Sequence, residues 1–423
     1  MRAEAIDTEE SCVVPVAEIV DHQEMVEVQP EQQLGEVHRK KPRVLSVDML
    51  RGLTMALMIL ANNPGDWGHV FPQLDHATWN GWTLTDLIFP SFLLLMGVAM
   101  VFSLASRATK SRGSMARHIF SRAGRLMLLA LVLSFFPRMD WHSLRYFGVL
   151  PRIAACFLLA GLILLFTRRM RALAAIVAVL LVGYWALLRF TALPHHGQPG
   201  TWMPFLDPVD NLAAHVDRIV VGFTQHWLHT GVLFDHTSDP EGVVSTLGAL
   251  ATTLIGAMCG VWMRRSTVKQ MRLGLLVAGA ALVAAGEVWS IWYPINKSLW
   301  TGTYALLSAG FCMLALGVCS LLVDGHAGRW PNWLRWTTWP WFVFGSNAIV
   351  AYVFSEAFVK AMIFVRIADA DGDLHTLWTR IYEGVFARQQ STEWTSLAFA
   401  FCYVCFCFLP CWALWHKKIF VKI

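Results

Sequence analysis

Ten apolar stretches, each close to the length of a membrane span, dominate the chain from residue 44 onward. They run over about 44–62, 85–105, 119–136, 147–167, 172–190, 242–262, 271–290, 302–322, 340–363 and 394–415. An α-helix needs roughly 20 apolar residues to cross hydrocarbon. Inside lipid each backbone N–H and C=O must find its partner within the protein, which selects helices for such stretches. The pattern predicts an all-α fold, a polytopic integral membrane helix bundle of about ten transmembrane helices. The third and fourth stretches lie close enough together to form a re-entrant pair. Hydrophobic residues make up 56% of the chain and charged residues 15%, against about 25% charged in ordinary soluble domains. A soluble enzyme, a disordered chain and a disulfide mini-scaffold are all excluded by that balance.

The net charge of +5 is small, and its distribution is informative. Asp and Glu crowd the first 36 residues, so residues 1–42 read as a disordered acidic cytoplasmic tail and not as a signal peptide. Basic clusters flank the apolar runs at Arg39, Lys40, Lys41 and Arg43, at Arg107, Lys110, Arg112 and Arg117, and at Arg168, Arg169 and Arg171. Others lie at Arg264, Arg265, Lys269 and Arg272, at Arg329 and Arg335, and at Lys417, Lys418 and Lys422. Segment 63–84 has neither Lys nor Arg. Lys and Arg favour the cytoplasmic side, so both termini are expected there, in a bacterial-type plasma (inner) membrane. No basic folded face suggests nucleic acid as a partner. Cys402, Cys405, Cys407 and Cys411 share one apolar run and read as small helix-face residues rather than a metal or redox site.

The connections assigned to the outer side concentrate His, Trp, Asp and Asn, and two of them, about 191–241 and 364–393, are long. The first holds His76, a candidate general base near neutral pH. Asn62 is placed to donate to a developing oxyanion, and Trp79 and Trp82 to stack on a sugar ring. An interfacial aromatic belt with hydrogen-bonded polar neighbours would have the same composition. Asp48, Arg51, Asp86, Arg125, Arg152, Glu287 and Glu356 sit within or at the ends of apolar runs, where charges face a cavity or a partner. Asp48 and Arg51, at i, i+3, can pair on one helix face. The basic members lie toward the inside, where they suit an anionic cofactor. Asp239-Pro240-Glu241-Gly242, Pro294-Ile295-Asn296-Lys297-Ser298 and Gly345-Ser346-Asn347-Ala348 are further outer-side clusters; each alone also fits a cap or a turn. His226 and His229 suit either a metal or plain surface positions.

Taken together, several of these strings are recognisable. Ser46-Val47-Asp48-Met49-Leu50-Arg51-Gly52, His76-Ala77-Thr78-Trp79-Asn80-Gly81 and Asp86-Leu87-Ile88-Phe89-Pro90 resemble the transmembrane heparan-α-glucosaminide N-acetyltransferase family. Gly148-Val149-Leu150-Pro151-Arg152, the Asp239 and Asn296 strings, Gly345-Ser346-Asn347 and the terminal Lys417-Lys418-Ile419-Phe420 follow in order. The resemblance implies a transmembrane acetyltransferase domain over residues 43–423. Its donor is cytosolic acetyl-CoA and its acceptor the amine of a glucosamine-type sugar on the outer side. It matches the family's catalytic His to His76 and its nearby active-site Asn to Asn62. Trp79, Asn80, Trp82, Asp86, Glu241, Asn296 and Lys297 are then expected to bind the sugar. Arg51, Arg125, Arg152 and Asn347 are expected to hold acetyl-CoA, with no metal. The lipid bilayer and an amino-sugar or glycan acceptor are the expected partners, with a homodimer as a further one. An envelope-glycan O-acyltransferase, a small-molecule transporter and a structural scaffold are the rival readings.

Overall fold

The computed structural model describes residues 44–194, 200–324, 330–368 and 372–421. The acidic tail expected over residues 1–42 lies outside the described residues, as do Arg43, Arg329 and Lys422. The first five long helices are α1 (Leu45–Asn62), α2 (Ile88–Ser106), α3 (Arg112–Phe135), α4 (Val149–Phe166) and α5 (Met170–Phe190). Then come α6 (Leu212–Leu228), α7 (Thr246–Arg265), α8 (Val268–Ser290) and α9 (Gly302–Val323). The last four are α10 (Asn332–Ser346), α11 (Ala348–Phe364), the short α12 (Leu377–Ile381) and α13 (Glu393–His416). Two small antiparallel ribbons, Leu193–Pro194 with Thr201–Trp202 and Arg366–Ala368 with Leu374–Thr376, sit in the two long connections. Among the described residues nine helices are individually long and apolar enough to cross a membrane, and α10 with α11, bent by 76° at their break, is a further pair of that character, either a broken span or a re-entrant loop. The fold is the all-α polytopic bundle that the apolar stretches predict.

Two expectations about its path are corrected. The third and fourth stretches are separate spans, α3 and α4, packed side by side, and not a re-entrant pair. The break falls instead in the ninth stretch, at Asn347. The apolar run continues through that point, so hydropathy reads one helix. The Asn347 side chain, fully buried, donates to the Ile419 carbonyl and accepts from the Val421 N–H. Backbone groups freed by a break in lipid need such partners. The Gly345 carbonyl accepts from Arg51 Nε at 2.8 Å. Residues 345–347 therefore lie beside the start of α1 and the chain's last described residues, at the end opposite the one first assigned to them.

Small residues set the tightest crossings. A side chain on Gly52 would meet the Trp341 carbonyl oxygen at 1.7 Å, and one on Gly345 the Asp48 carbonyl oxygen at 2.1 Å, so α1 and α10 touch backbone to backbone. Gly97 and Gly256 do the same for α2 and α7. Such contacts are how helices associate where lipid already solvates their apolar sides. Polar N-caps begin some of the helices: Thr267 and Gln270 form a reciprocal capping box at α8, and Thr301 caps α9. Cys407 and Cys411 are buried with Phe399 and Tyr403 against α1, as apolar helix-face residues.

The alternation of spans gives the bundle two ends. Connections 63–84, 136–148, 191–245, 291–301 and 365–392 gather at one, hereafter the loop-bearing end. The short connections 107–111, 167–169 and 266–267 and residues 417–421 lie at the other, the basic end.

Candidate active site

The site is built where the first connection meets the start of the second span. A single turn of 3-10 helix, Thr85–Leu87, leads into α2 and buries Asp86 completely. Asp86 Oδ1 accepts from His76 Nδ1 at 2.8 Å and pairs with Lys297 Nζ at 3.0 Å. Its Oδ2 accepts the Thr83 N–H at 3.0 Å, the Ala77 N–H at 3.2 Å and the Thr83 hydroxyl at 3.2 Å. Both carboxylate oxygens are thus saturated, as a buried charge requires. A carboxylate is acceptor-only, so it takes Nδ1–H and leaves the His76 Nε2 lone pair outward. The His76 side chain is 42% exposed. Lys297 Nζ lies 2.8 Å from Nδ1 and 3.3 Å from Nε2.

The loop carrying Lys297 is held to the His76 loop by main chain and side chain. Gly81, with φ of 101°, turns its N–H onto the Ile295 carbonyl at 2.8 Å, and Asn296 Nδ2 donates to Asn80 Oδ1 at 3.2 Å. Asn296 is itself fully buried and caps the Leu299 N–H. Below them the Tyr304 hydroxyl donates to the Asp86 carbonyl at 2.5 Å. Asn80, Asn296, Lys297, Asp86 and His76, five residues chosen from sequence, converge on one spot.

The other expected acceptor-site residues have different partners. Trp79 donates its indole N–H to the Leu206 carbonyl at 3.0 Å, and Trp82 packs on Phe311 with ring centroids 4.9 Å apart. Asn62, the last residue of α1, is exposed at the same end and is not in the hydrogen-bonded group around His76. Its neighbour Asn63 is buried and donates to the Ile59 carbonyl. Glu241 pairs with Arg145 at 2.7 Å, and Arg145 also grips both Asp239 oxygens at 2.7 and 2.8 Å. Those carboxylates raise the Arg145 guanidinium's affinity for its proton against the opposing effect of burial. Arg145 is absent from the sequence reading; the signal available for it was a cation, with Arg138, in connection 136–148, and an Asp-x-Glu string at Asp239–Glu241.

The four residues expected to hold the cofactor do not form one group. Arg152 is corrected outright. It sits in the first turn of α4, at the loop-bearing end, with the guanidinium 5.1 Å from the Trp300 ring and bonded to the Ser245 hydroxyl and the Gly242 carbonyl. Beside an apolar run it reads as an inner basic residue; its burial against the Gly242 turn puts it at the loop-bearing end. Asn347 ties the chain's end, as described above. Arg51 pairs with Asp48 at 2.7 Å in the first half of α1, the i, i+3 contact expected of it. Arg125 is exposed on α3 and bonds the Ser121 carbonyl. Arg122, missed earlier, lies within electrostatic reach of Arg51, Arg107 and Arg125, and its Nε is buried without a hydrogen-bond partner among the described residues. Orphaned guanidinium donors among like charges suit the phosphates of a nucleotide thioester.

Residues 43–205 match the sequence model described as the catalytic region of heparan-alpha-glucosaminide N-acetyltransferase. That segment, under half of the chain, is similar to the family's catalytic region. The human heparan-alpha-glucosaminide N-acetyltransferase is 27% identical over 367 residues, covering 75% of this chain and 53% of that protein. The mouse protein of the same name is 24% identical over 363 residues, covering 74% and 53%. The chain thus spans about half the length of the curated relatives it matches. The His76–Asp86 dyad lies inside the matched segment, and Lys297 lies beyond it.

Proposed function

We propose that this chain is a membrane-embedded acetyltransferase that moves acetyl from acetyl-CoA, taken up at the basic end, to the amine of a glucosamine-type sugar at the loop-bearing end. The observation that carries this reading is the partly exposed His76 imidazole held on buried Asp86, at the end away from the Arg51, Arg122 and Arg125 group. Two ends of opposite character suit a donor and an acceptor arriving from opposite sides. By the distribution of Lys and Arg the basic end is cytoplasmic, with both termini inside a bacterial-type plasma membrane.

Acetyl transfer needs a deprotonated amine and a polarised thioester carbonyl. The amine nitrogen attacks the carbonyl carbon while His76 Nε2 takes its proton. The C–S bond then breaks, CoA leaves as thiolate, and the imidazolium returns the proton to it. Asp86 stabilises the imidazolium through Nδ1–H. Lys297, beside the ring, favours negative charge on the carbonyl oxygen in the tetrahedral state.

The test is CoA thiol release by the purified full chain with acetyl-CoA and a panel of sugars. Release is expected with amino sugars and absent with sugars bearing hydroxyls alone. Release with hydroxyl sugars identifies an O-acyltransferase, and no release with any acceptor contradicts the acetyltransferase reading in favour of a transporter.

A further inference from the structure

Helix α6 is too short and too mixed in sequence to be one of the spans, yet it exposes large apolar side chains to its surroundings. Successive residues turn by about 100°, which sorts it into three sides. Ala213, Ala214, Asp217 and Val221, all buried, face the protein. His215, Arg218, Gly222, Gln225 and His226 form a polar side. Ile219, Phe223 and Trp227, at i, i+4 and i+8, form a third stripe and are 58%, 62% and 65% exposed. Water would solvate that stripe poorly, and the fold has not covered it.

Both ends of α6 are fixed at the loop-bearing end. Trp141 Nε1 donates to the Leu228 carbonyl at 3.0 Å, and Arg218 donates to the Val209 carbonyl at 2.7 Å. The last turn of the stripe is tied by that Leu228 bond to Trp141, itself exposed, which follows the end of α3, a span that exposes Leu128 and Val132. The stripe thus ends against the connection that leaves a spanning helix.

We infer that α6 lies in the plane of the membrane surface at the loop-bearing end, with Ile219, Phe223 and Trp227 seated among lipid acyl chains just beneath the headgroups. A helix with a strong apolar stripe opposite a polar side binds in this way. The protein-facing side of the same helix presses Asp217 against the Asp239–Gly242 turn: Asp217 Oδ1 accepts the Val243 N–H at 2.9 Å, and a side chain on Gly242 would meet Asp217 Oδ2 at 1.8 Å. The lipid seat thereby holds a turn that Arg145 and Arg152 grip from the other side.

The test places a photoreactive benzophenone amino acid at Phe223, at Gly222 and at Val179 of the full chain in phosphatidylcholine–phosphatidylglycerol nanodiscs. Adducts are then read by mass spectrometry. Gly222 lies on the polar side, where a side chain meets open space, and Val179 is exposed on the spanning helix α5. Lipid-mass adducts are expected at 223 in yield comparable to 179 and several-fold above 222. An adduct at 223 with a second copy of the chain assigns the stripe to a dimer face and overturns the inference. Lipid adducts at 179 with none at 223 overturn it as well.

Discussion

One connection, residues 63–84, contains two histidines, each with its Nδ1 against a carboxylate, and they differ in what stands behind the carboxylate. His69 meets Asp66 Oδ2 at 2.7 Å and His76 meets Asp86 Oδ1 at 2.8 Å; both side chains are 42% exposed. Asp66, however, is itself 34% exposed, and its oxygens also bind the Gly68 N–H and the Ser391 hydroxyl. The Ser391 and His69 hydrogen bonds hold Asp66 below the usual carboxylate range. Its main chain exchanges hydrogen bonds with the Ser396 hydroxyl, so Asp66 works as a clamp between two connections. Asp86 is wholly buried at the mouth of a span, saturated, and accompanied by a lysine. The same dyad geometry therefore stands on two different carboxylates, and the field of the buried one acts on its ring with less screening.

Substitutions that equalise the two dyads separate these roles. Asp86→Asn should have the largest effect, lowering turnover by about 10³–10⁴-fold, the size seen when a carboxylate that fixes a histidine tautomer becomes an amide. Asp66→Asn should leave turnover near wild type and lower thermal stability by about 1 kcal/mol, the worth of the hydrogen bonds weakened. Steady-state CoA release and melting curves of the two variants compare them directly. Equal losses of turnover would erase the distinction.

Arg145→Ala should come next, destabilising by about 3 kcal/mol, since it leaves Asp239 and the mostly buried Glu241 without their cation. Melting in detergent checks this, and a drop no larger than that of Asp66→Asn would mean that water already solvates the Asp239 turn.

Asp217 supplies a pH prediction at the same turn. Burial pushes its carboxyl up to about 7, and Oδ2 has no hydrogen-bond partner among the described residues. The unfolded chain ionises it near 4, so the folded state holds the proton more tightly. Stability from this group is full below the ordinary aspartate range and is lost as pH rises toward 7. Asp217→Asn should flatten that decline and gain about 2 kcal/mol at pH 8. Parallel pH dependences of melting in the two proteins would exclude Asp217 as its source.

Lys297→Met should slow turnover by about 10–100-fold, a typical loss for a supporting partner of an active group. Lys297→Arg should recover part of it by restoring the charge. No loss in the methionine variant would reduce Lys297 to a structural tie between loops.

The spans were legible because a run of apolar residues near 20 long has few alternatives in lipid. The break at Asn347 was not, since its partners at Ile419 and Val421 are more than seventy positions away. His76, Asp86 and Lys297 could be selected as residue types, but their convergence depends on two connections more than two hundred residues apart. Arg145 escaped because its carboxylates stand 94 and 96 residues downstream. Arg152 was placed at the wrong end because a basic residue beside an apolar run carries no mark of burial. The partners of Trp79 and Trp82, the Leu206 carbonyl and Phe311, stand 127 and 229 residues away, so sequence could not show them.

The central claim is that one of the two histidines handles the amine proton, and the most direct measurement sets them side by side. His76→Ala and His69→Ala, each shown to fold by an unchanged elution profile and melting within a few degrees of wild type, are assayed for CoA release with saturating acetyl-CoA and glucosamine. His76→Ala should fall to background while His69→Ala retains most of the activity. Retained turnover in His76→Ala, or an equal collapse in both, would contradict the assignment.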